Sequence, residues 1–406
     1  MKTIIVNTVY KEGSTGKLSY LLKKELEKRG DEVIICYGNG KRYNEKKCIK
    51  LHNVLEQKVA SFLSKLTGLT GYFSLLSTIK VIQAIKYFNP DIVILGNLHG
   101  YYINEFLLYF YLKKRKQVTM QIMWDEYSMT GKCPFSYNCY KYKNVCKNCE
   151  QIKAYPKSWF FDRSKKLMKS KYNAYKNFDN IVFVGAPYTI TRAKESFLLM
   201  DKKLIEIDEG VDLENVFYPK NVDDLRIKYN ILKGNIVILN VCIFSNKRKG
   251  AIYYLEAARK LEMHENITFI HIGFDDKNIK CPKKFIPIGY IEDQLELSKF
   301  YSLADLFVCT SLAETQPNTC LEALGCGTPI LGFNISGIPT CADDSCGKFV
   351  KACDVEELCK VIKNTKTKNK NIEKRCRDYA LKRFSNGDYN RKLIEIAIKE
   401  ISDKKQ

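Results

Sequence analysis

Two glutamates, Glu314 and Glu322, are the side chains whose type and spacing best suit chemistry on a sugar. Glu314 lies in the turn after an apolar run, residues 304–310, that predicts a buried strand. Glu322 lies two turns into an apolar helix predicted over residues 318–324. Backbone N–H groups at a helix start can hold a diphosphate, and a carboxylate can accept hydrogen bonds from vicinal hydroxyls. The stretch therefore predicts a nucleotide-sugar site, although two glutamates alone would more often be a helix cap and a surface residue.

Basic side chains precede this stretch along the chain. Lys247, Arg248 and Lys249 stand between a predicted strand over residues 236–241 and a predicted helix over residues 251–261. Cations at a strand–helix junction can neutralise a diphosphate, and a guanidinium group binds phosphate oxygens in pairs. These elements open a second α/β domain.

The first residues predict a βαβ unit. A strand, a Gly-rich turn, a helix and a second strand follow one another over residues 3–10, 12–17, 18–29 and 33–37. This order predicts a doubly wound parallel sheet. The turn is not a P-loop, because Lys11 and Leu18 stand where that motif needs a glycine and a hydroxyl residue. Gly13 can bring backbone N–H groups close to an anion at the helix start, or can serve the geometry of the turn alone.

Two polar side chains follow predicted core strands in the N-terminal half. His99 comes after a strand predicted over residues 92–95, and Asp125 comes after a strand predicted over residues 118–123. In doubly wound folds, ligand-binding groups gather at the carboxyl ends of the strands. His99 and Asp125 are therefore candidate functional residues.

The basic charge of the chain is concentrated in its first half. The 406 residues carry a formal net charge of +22, and residues 1–200 hold 34 Lys and Arg against 15 Asp and Glu. Residues 201–406 hold 33 against 30. Such a basic half favours a nucleic acid, an anionic membrane surface or a phosphorylated acceptor as partner. A solvated lysine-rich face is equally compatible with the composition.

The apolar segments predict a cytoplasmic protein. No stretch reaches the roughly 20 apolar residues of a membrane-spanning helix, and the first residues look like a core strand rather than a secretory signal. Residues 54–88 have a helical period, interrupted by Gly68 and Gly71, with lysines along the same stretch. A basic amphipathic segment can lie on a membrane. Packing on a sheet is the commoner arrangement, and it is the interpretation we favour.

Four of the sixteen cysteines are clustered. Cys133, Cys139, Cys146 and Cys149 follow a C-x5-C-x6-C-x2-C pattern. Disulfides are rare in a reducing compartment, and thiolates are soft ligands that favour tetrahedral zinc. The cluster predicts one structural zinc; reduced small side chains in a loop rich in Lys and Tyr are the alternative.

Short motifs along the whole chain carry a family resemblance. The C-terminal motifs cover residues 248–250, 288–290, 301–305 and 314–329, and they are highly specific in combination. The N-terminal motifs cover residues 13–17, 97–104, 124–125, 130–133 and 155–159. Together they resemble the retaining glycosyltransferases of family 4, and within it the branch of colanic acid and related polysaccharide enzymes.

The resemblance implies two Rossmann-like, doubly wound domains that face each other across a cleft, the GT-B architecture. It implies an acceptor-side domain over residues 1–205, with a cysteine-rich insertion near residues 131–150. A nucleotide-sugar-binding domain is expected over residues 206–380, followed by a C-terminal helix over residues 381–406 that packs back on the N-terminal domain. The resemblance also implies retention of anomeric configuration, with no metal or other cofactor in the chemistry.

Roles follow for particular residues by the same resemblance. Lys249, assisted by Arg248, is expected to meet the donor diphosphate. Glu314 is expected to meet the sugar hydroxyls and Glu322 the ribose, and Glu314 and Lys249 are the expected catalytic residues of this domain. Further donor contacts are expected near the phosphates at Gly13, near the base at Gly289, and at the helix start from Asn318 and Thr319.

The N-terminal half departs from the family pattern at two positions. Relatives commonly carry a histidine where Gly96 stands, and His-Asp where this chain has Trp124 and Asp125. The family histidine contacts the sugar near its reacting carbon, so His99 or Asp125 can be its catalytic substitute. Trp124 can stack on the acceptor, and Tyr101 completes the expected acceptor side with His99.

The sequence thus predicts a hexosyltransferase that uses a UDP- or GDP-sugar in the synthesis of a cell-surface exopolysaccharide or lipopolysaccharide. Its acceptor is expected to be a saccharide on a lipid diphosphate, reached from the inner face of the plasma membrane. One alternative, prompted by the missing histidine, is a non-catalytic nucleotide-sugar-binding or scaffold protein of the same fold. A zinc-containing nucleic-acid binder is a second alternative that the motifs disfavour, so no nucleic-acid partner is expected. The cations expected to dock on an anionic membrane are Lys58, Lys65, Lys80, Lys113, Lys114, Arg115 and Lys116.

Overall fold

The computed structural model describes residues 1–51, 54–115, 117–276 and 278–405. Lys116, one of the predicted membrane-docking cations, lies outside the described residues. The described chain divides into two compact units. The first unit is Met1–Ile207 with the residues from Asn390 onward, and the second is Asp208–Tyr389.

The described part of the first unit contains a seven-stranded sheet in which the paired strands run parallel. Its strands are β1 Lys2–Asn7, β2 Glu32–Tyr37, β3 Cys48–Lys50, β4 Ile92–Leu95, β5 Val118–Met123, β6 Ile181–Gly185 and β7 Lys203–Glu206. The order is β3-β2-β1-β4-β5-β6-β7. The chain therefore changes direction across the sheet between β1 and β4, which is where doubly wound folds bind ligands. The central strands β4 and β5 are buried along their whole length, as expected for central strands of a parallel sheet with helices on both faces.

Helices cover the first sheet. They are α1 Gly13–Lys28, α2 Val54–Thr67, α3 Leu75–Phe88, α4 Glu105–Lys113, α5 Ser164–Tyr175 and α6 Pro187–Lys194. Helix α1 begins inside the predicted Gly-rich turn, five residues before the predicted start. The difference arises because β1 ends at Asn7, whose amide donates to the backbone oxygens of Val9 and Thr15 and so closes a short connection.

The second unit has the same construction. Its strands are β8 Ile236–Val241, β9 Ile267–Ile272, β10 Phe285–Ile288, β11 Leu306–Cys309, β12 Ile330–Phe333 and β13 Gly347–Val350. All the pairings are parallel, and the order is β10-β9-β8-β11-β12-β13. Its switch point lies between β8 and β11. The prediction of two doubly wound α/β domains is confirmed.

The helices that follow in the chain complete the second unit. They are α7 Asp223–Lys228, α8 Ala251–Lys260, α9 Gln294–Leu303, α10 Asn318–Gly325, α11 Val355–Lys363, α12 Lys370–Phe384 and α13 Asn386–Lys405. Helix α13 begins in the second unit, and from Asn390 it is counted with the first. None of the helices in the described part of the chain is long and apolar enough to cross a membrane.

Helices α2 and α3 differ in which side chains they bury. Gly68 and Gly71, both with positive φ, separate them, as the sequence predicts. Helix α3 buries Val81 and Ile85 completely, so the interpretation as a helix packed on a sheet holds there.

Helix α2 buries small side chains and leaves several large apolar side chains exposed. Its buried residues are Ala60 and Ser64. Its larger apolar side chains Val54, Leu55, Val59 and Phe62 are 65%, 71%, 48% and 51% exposed. A sequence period shows that a helix is amphipathic but not which side faces the protein. Helix α2 therefore packs through small and half-buried side chains and leaves part of its apolar surface exposed.

Candidate functional site

The predicted donor residues lie at the switch point of the second sheet. Strands β8 and β11 are neighbours there, and the loops that follow them leave from the same edge. The loop after β8 carries a short 3-10 helix, Lys247–Lys249, and the loop after β11 carries Glu314. Two cations and a carboxylate that are 65 and 66 positions apart in sequence thereby become neighbours.

Glu314 is held between two cations. Lys249 Nζ lies 2.7 Å from Glu314 Oε1, and Arg248 Nη1 lies 2.9 Å from Oε2. The glutamate is only 7% exposed. Burial would raise the pKa of Glu314, but the charges of Lys249 and Arg248 outweigh it and hold the pKa below its ordinary value. Glu314 is therefore a carboxylate at neutral pH.

Backbone contacts fix the cationic loop against the end of β11. Gly250, the first residue after the 3-10 helix, has a φ of +61°, and a Cβ there would lie 2.1 Å from the oxygen of Thr310. Only glycine allows this approach. On the same side, Leu312 N donates to Arg248 O at 2.8 Å. These contacts position Lys249 without involving its side chain.

The glutamate loop is fixed in the same way from its other side. Glu314 N donates to Ser336 Oγ at 2.9 Å, and Gly337 N donates to Glu314 O at 2.9 Å. A Cβ on Gly337 would lie 1.5 Å from the oxygen of Thr315, so any larger residue must displace the loop. The Glu314 carboxylate therefore projects from a backbone that is held at both ends.

Other predicted donor residues follow the strands β11 and β10 of the same sheet. Asn318 and Thr319 are the first residues of α10, and a helix N-terminus attracts anions. Glu322 lies one turn further and accepts a hydrogen bond from Tyr301 Oη at 2.7 Å. Gly289 follows β10 at the edge of the same sheet, and open space surrounds the position where a Cβ would stand.

A second buried glutamate, Glu209, stands close to Glu314. It is 6% exposed, and its backbone N–H donates to Gln316 Oε1 at 2.6 Å. Gln316 Nε2 in turn donates to Asp208 Oδ1 at 2.8 Å. Burial, and then the charges of Glu314 and Asp208, raise the pKa of Glu209 to about 8. Glu209 was not predicted as a site residue, because it stands just after the predicted domain boundary at residue 205 and belongs to no recognised motif.

The predicted acceptor-side residues lie at the switch point of the first sheet. His99 Nε2 lies 2.7 Å from Asp125 Oδ2, and His99 Nδ1 lies 2.9 Å from Tyr155 Oη. The histidine and aspartate side chains are 12% and 9% exposed. Asp125 Oδ1 also accepts from Tyr127 N at 2.8 Å. The structure therefore brings the two residues proposed as substitutes for the family histidine into one hydrogen-bonded pair.

A buried hydrogen-bond network continues from the His99–Asp125 pair through Tyr127. Tyr127 Oη donates to Glu105 Oε1 at 2.7 Å, and Lys171 Nζ donates to Tyr127 O at 2.5 Å and lies 3.4 Å from its ring centre. Burial raises the pKa of Glu105 and lowers the pKa of Lys171. This network was not predicted, because Glu105 and Lys171 are 66 positions apart in the chain and only the tertiary structure brings them together.

Gly96 and Trp124, the two positions that depart from the family pattern, pack against each other. A Cβ at Gly96 would lie 2.5 Å from Trp124 Cζ3 and 2.6 Å from Asn7 Oδ1. The indole therefore occupies the space that a side chain at position 96 needs. Trp124 is only 8% exposed, so little of its ring is open to a ligand.

Tyr101 and Gly13, two further predicted site residues, both have a positive φ and follow strands of the first sheet. Tyr101 has a φ of +62°, and its ring meets Tyr155 edge-on with 6.1 Å between centres. Gly13 is the first residue of α1 and has a φ of +62°, with open space where a Cβ would stand. Both therefore lie at the carboxyl-end side of the first sheet.

The cysteine cluster does not form a metal site in the described residues. No group of three or more His, Cys, Asp or Glu side chains there is arranged to hold a metal ion. Instead, Cys146 Sγ accepts from Gly131 N at 3.3 Å, and Cys149 N donates to Asp162. Burial raises the pKa of Cys133 to about 12 and that of Cys146 to about 11, which favours thiols over metal-binding thiolates. The zinc prediction is not supported.

Sequence comparison identifies the domain that contains the Glu314 cluster. Residues 235–366 match the family model described as Glycosyl transferases group 1. The chain is 29% identical over 150 residues to the Escherichia coli UDP-Gal:alpha-D-GlcNAc-diphosphoundecaprenol alpha-1,3-galactosyltransferase, covering 33% of this chain and 38% of that protein. It is 22% identical over 296 residues to the putative colanic acid biosynthesis glycosyl transferase WcaC of Escherichia coli K12, covering 72% and 64%. The matches span less than two thirds of the length of both relatives.

Structure comparison covers nearly the whole chain. Sucrose-phosphate synthase from Thermosynechococcus elongatus superposes with a TM-score of 0.69 at 15% identity, covering 99% of this chain and 100% of that one. Anabaena Alr3699/HepE in complex with UDP and glucose gives 0.64 at 14%, covering 98% and 99%. WaaG, described as a glycosyltransferase involved in lipopolysaccharide biosynthesis, gives 0.65 at 14%, covering 97% and 99%. These similarities show the fold, and the predicted GT-B fold is confirmed.

Proposed function

We propose that this protein is a retaining glycosyltransferase of the family 4 type, which moves a hexose from a nucleotide sugar to a saccharide acceptor. The observation that carries the proposal is the ion-paired cluster of buried Glu314 with the half-buried Lys249 and Arg248, within the group 1 domain. It combines a fixed carboxylate, which accepts hydrogen bonds from sugar hydroxyls, with fixed cations, which attract a diphosphate.

Lys249 and Arg248 can contact Glu314 and the donor diphosphate at the same time. An ammonium group has three N–H donors and a guanidinium group has five, so Lys249 and Arg248 can keep their contacts with Glu314 and still donate to phosphate oxygens. As the bond from the sugar to the diphosphate breaks, negative charge grows on the leaving diphosphate. A preorganised cation stabilises that charge more than it stabilises the bound substrate. Lys249 is therefore assigned to the transition state, and Glu314 to orientation of the sugar.

The remaining donor roles follow the geometry of α10 and β10. The N–H groups at Asn318 and Thr319 are assigned to the diphosphate, because a helix N-terminus attracts anions. Glu322 is assigned to the ribose hydroxyls, and the open side of Gly289 to the base. Gly13 is assigned to the phosphates because its open backbone stands at the start of α1.

His99 is assigned to the acceptor side of the reaction. Its ring nitrogens are occupied by Asp125 and Tyr155, which fix the orientation of the imidazole. A fixed imidazole can orient hydroxyls of the reacting sugars through its partners, although neither nitrogen is free in the described contacts. Asp125 and Tyr155 act as positioning residues in this assignment.

The donor is proposed to be a UDP- or GDP-sugar, and the acceptor a saccharide on a lipid diphosphate in cell-surface polysaccharide synthesis. Support comes from relatives: one is named as using UDP-Gal and a diphosphoundecaprenol acceptor, and a structural neighbour contains UDP and glucose.

We further propose that the first unit docks on an anionic membrane. Three adjoining segments form an apolar surface: the outer side of α2, the start of α3, and residues 159–161. Phe62 and Trp159 meet edge-on at 5.6 Å, and Ser77 of α3 donates to Glu56 of α2. Phe160 and Phe161 are 68% and 48% exposed.

The cations around the apolar surface support the membrane proposal. The exposed basic residues on these segments and beside them are Lys58, Lys80, Lys153, Lys157, Arg163, Lys165 and Lys166. Apolar and aromatic side chains ringed by lysines suit an interface between acyl chains and anionic headgroups. A surface of this composition would also bring the enzyme to a lipid-linked acceptor.

A panel of nucleotide sugars tests the proposed function. Thermal unfolding is measured with UDP- and GDP-sugars, because a ligand that binds only the folded state raises the midpoint. The stabilising donor is then incubated with candidate lipid-linked acceptors, and the anomeric configuration of the product is read by NMR. Retention is expected. Binding of a donor with neither hydrolysis nor transfer would support the non-catalytic alternative, and no stabilisation by any donor would contradict the proposal.

A further inference from the structure

Glu209 has a buried carboxyl group for which the described residues provide no partner. The residue is 6% exposed, and among these residues no hydrogen bond or ion pair reaches its carboxyl oxygens. Its carboxyl oxygens are not fully enclosed by the described residues, so a ligand can reach them. Its backbone is fixed by Gln316, which belongs to the Glu314 loop. The carboxyl is therefore held at the donor site rather than left in a flexible connection.

The groups that face Glu209 disfavour its charged form. Glu314 approaches from the loop after β11, and Asp208 is its neighbour in the chain. The nearby cations are engaged elsewhere: Arg383 of α12 forms a two-pronged pair with Asp208, and Lys249 and Arg248 pair with Glu314. With a pKa raised to about 8, Glu209 is mostly an uncharged acid at pH 7.

We propose that Glu209 binds the nucleotide diphosphate as an uncharged carboxylic acid, donating its O–H to a phosphate oxygen beside Glu314. The inference rests on the proposed function, since it concerns the donor of that site. A phosphate oxygen can only accept a hydrogen bond, so it pairs with a protonated carboxyl and repels an ionised one. A sugar hydroxyl, which both donates and accepts, would place no such demand on the proton.

The proposal predicts that donor binding is coupled to a proton. Loss of the Glu209 proton removes the hydrogen bond and adds a like charge, so affinity for UDP falls as pH rises through about 8. If only the protonated form binds, the affinity drops roughly eightfold between pH 7.5 and pH 9, and at pH 8 about half a proton is taken up per UDP.

Isothermal titration calorimetry with UDP tests this coupling. Wild type, Glu209→Gln and Glu209→Ala are titrated at pH 7.5 and pH 9, and wild type also at pH 8 in two buffers of different ionisation enthalpy. Glu209→Gln keeps an N–H donor and cannot ionise, so its affinity should stay near the wild-type value at pH 7.5 and hold at pH 9. Glu209→Ala should bind weakly at both. The same substitution at the exposed Glu206 is the control and should leave the wild-type profile unchanged.

The outcomes separate the inference from the function on which it rests. Wild type that binds UDP with no proton uptake and the same affinity at both pH values overturns the role of Glu209 and leaves the donor site standing. No binding of UDP or of any other nucleotide to wild type overturns the proposed function itself. The buffer comparison on wild type needs no variant, so it decides the matter even if a substitution prevents folding.

A melting series checks that the variants are folded. The pKa of Glu209 is higher in the folded state than in an unfolded chain, so the folded state holds the extra proton between the two values. Wild-type stability then falls as pH rises toward about 8 and levels off above it. Glu209→Gln has nothing to ionise, and at pH 9 it should melt at or above wild type.

Discussion

In the proposed mechanism, Lys249 stabilises charge and Glu314 orients the sugar, and single substitutions can separate the two roles. Replacing Lys249 by Ala removes the cation that faces the leaving diphosphate. Turnover should fall about 100-fold or more, the scale of one preorganised group in a transition state. Lys247→Ala, in the same 3-10 helix but exposed, is the matched control and should stay near wild type. Steady-state kinetics with the identified donor gives the comparison, and near-normal turnover in Lys249→Ala would remove Lys249 from the mechanism.

Glu314→Gln tests the carboxylate with little change of shape. The substitution leaves Lys249 and Arg248 beside a neutral amide, so sugar hydroxyls lose their charged acceptor while the cations remain. Turnover should fall about as far as in Lys249→Ala, whereas UDP, which lacks the transferred hexose, should bind at least as well as to wild type. Kinetics and UDP calorimetry are run on the same preparation. Weaker UDP binding with intact turnover would reverse the roles of the two residues.

His99 should affect transfer and spare donor binding. In His99→Ala the imidazole is lost from its pair with Asp125, while the second unit is untouched. Transfer to the acceptor is expected to fall about 100-fold, the scale for a positioned side chain, with UDP affinity unchanged. Tyr172→Ala, an exposed aromatic on α5, is the control. Full transfer activity in His99→Ala would limit the pair to a structural role.

The sequence motifs predicted residues that the structure brings into contact, although these residues are far apart in the chain. Glu314 and Lys249 were predicted, and the structure joins them. Glu209 was not predicted, since its behaviour depends on burial beside a like charge, which is a property of the tertiary structure. The contact between Gly96 and Trp124 was not predicted either. Trp124 occupies the space that a side chain at position 96 would need, and only tertiary packing shows this.

At the level of elements, long apolar strands were the most predictable part of the chain. The predicted bounds of β4, β5 and β8 agree with the structure, because buried parallel strands have predominantly apolar sequences. Short edge elements were missed: β3, β7 and β13 contain three or four residues and few fully buried side chains. The exposure of large apolar side chains on α2 was not predicted, since the same helical period describes an apolar face turned inward or outward.

The outward face of α2 gives a prediction at this scale. Leu55→Asp and Phe62→Asp place charge on side chains that are 71% and 51% exposed, so the free energy of unfolding should change by no more than about 0.5 kcal/mol. Binding to vesicles with anionic lipid should weaken at least tenfold for the double variant, because an acidic side chain is repelled by the headgroups and cannot enter the apolar layer. Leu232→Asp, 70% exposed in the second unit, is the control.

Co-sedimentation and thermal melting together decide the outcome for α2. Unchanged sedimentation of a folded double variant would mean that this face does not meet lipid. A large loss of stability would mean instead that the face is covered by another part of the protein in solution.

The uneven distribution of charge along the chain leads to a prediction about how membrane binding depends on salt. Residues 1–200 carry 34 basic and 15 acidic side chains, while the rest of the chain is nearly balanced. A basic residue near an anionic surface contributes up to about 1 kcal/mol, so a few of them suffice for reversible docking. Attraction of this kind is screened over about 10 Å at 0.1 M salt, whereas burial of apolar side chains is not screened. Wild type should therefore sediment with anionic vesicles at low salt, lose most of that binding at 0.5 M salt, and bind neutral vesicles weakly throughout. Equal binding to neutral and anionic vesicles would attribute docking to the apolar surface alone, and no binding to either at low salt would leave the basic charge as a solvated face.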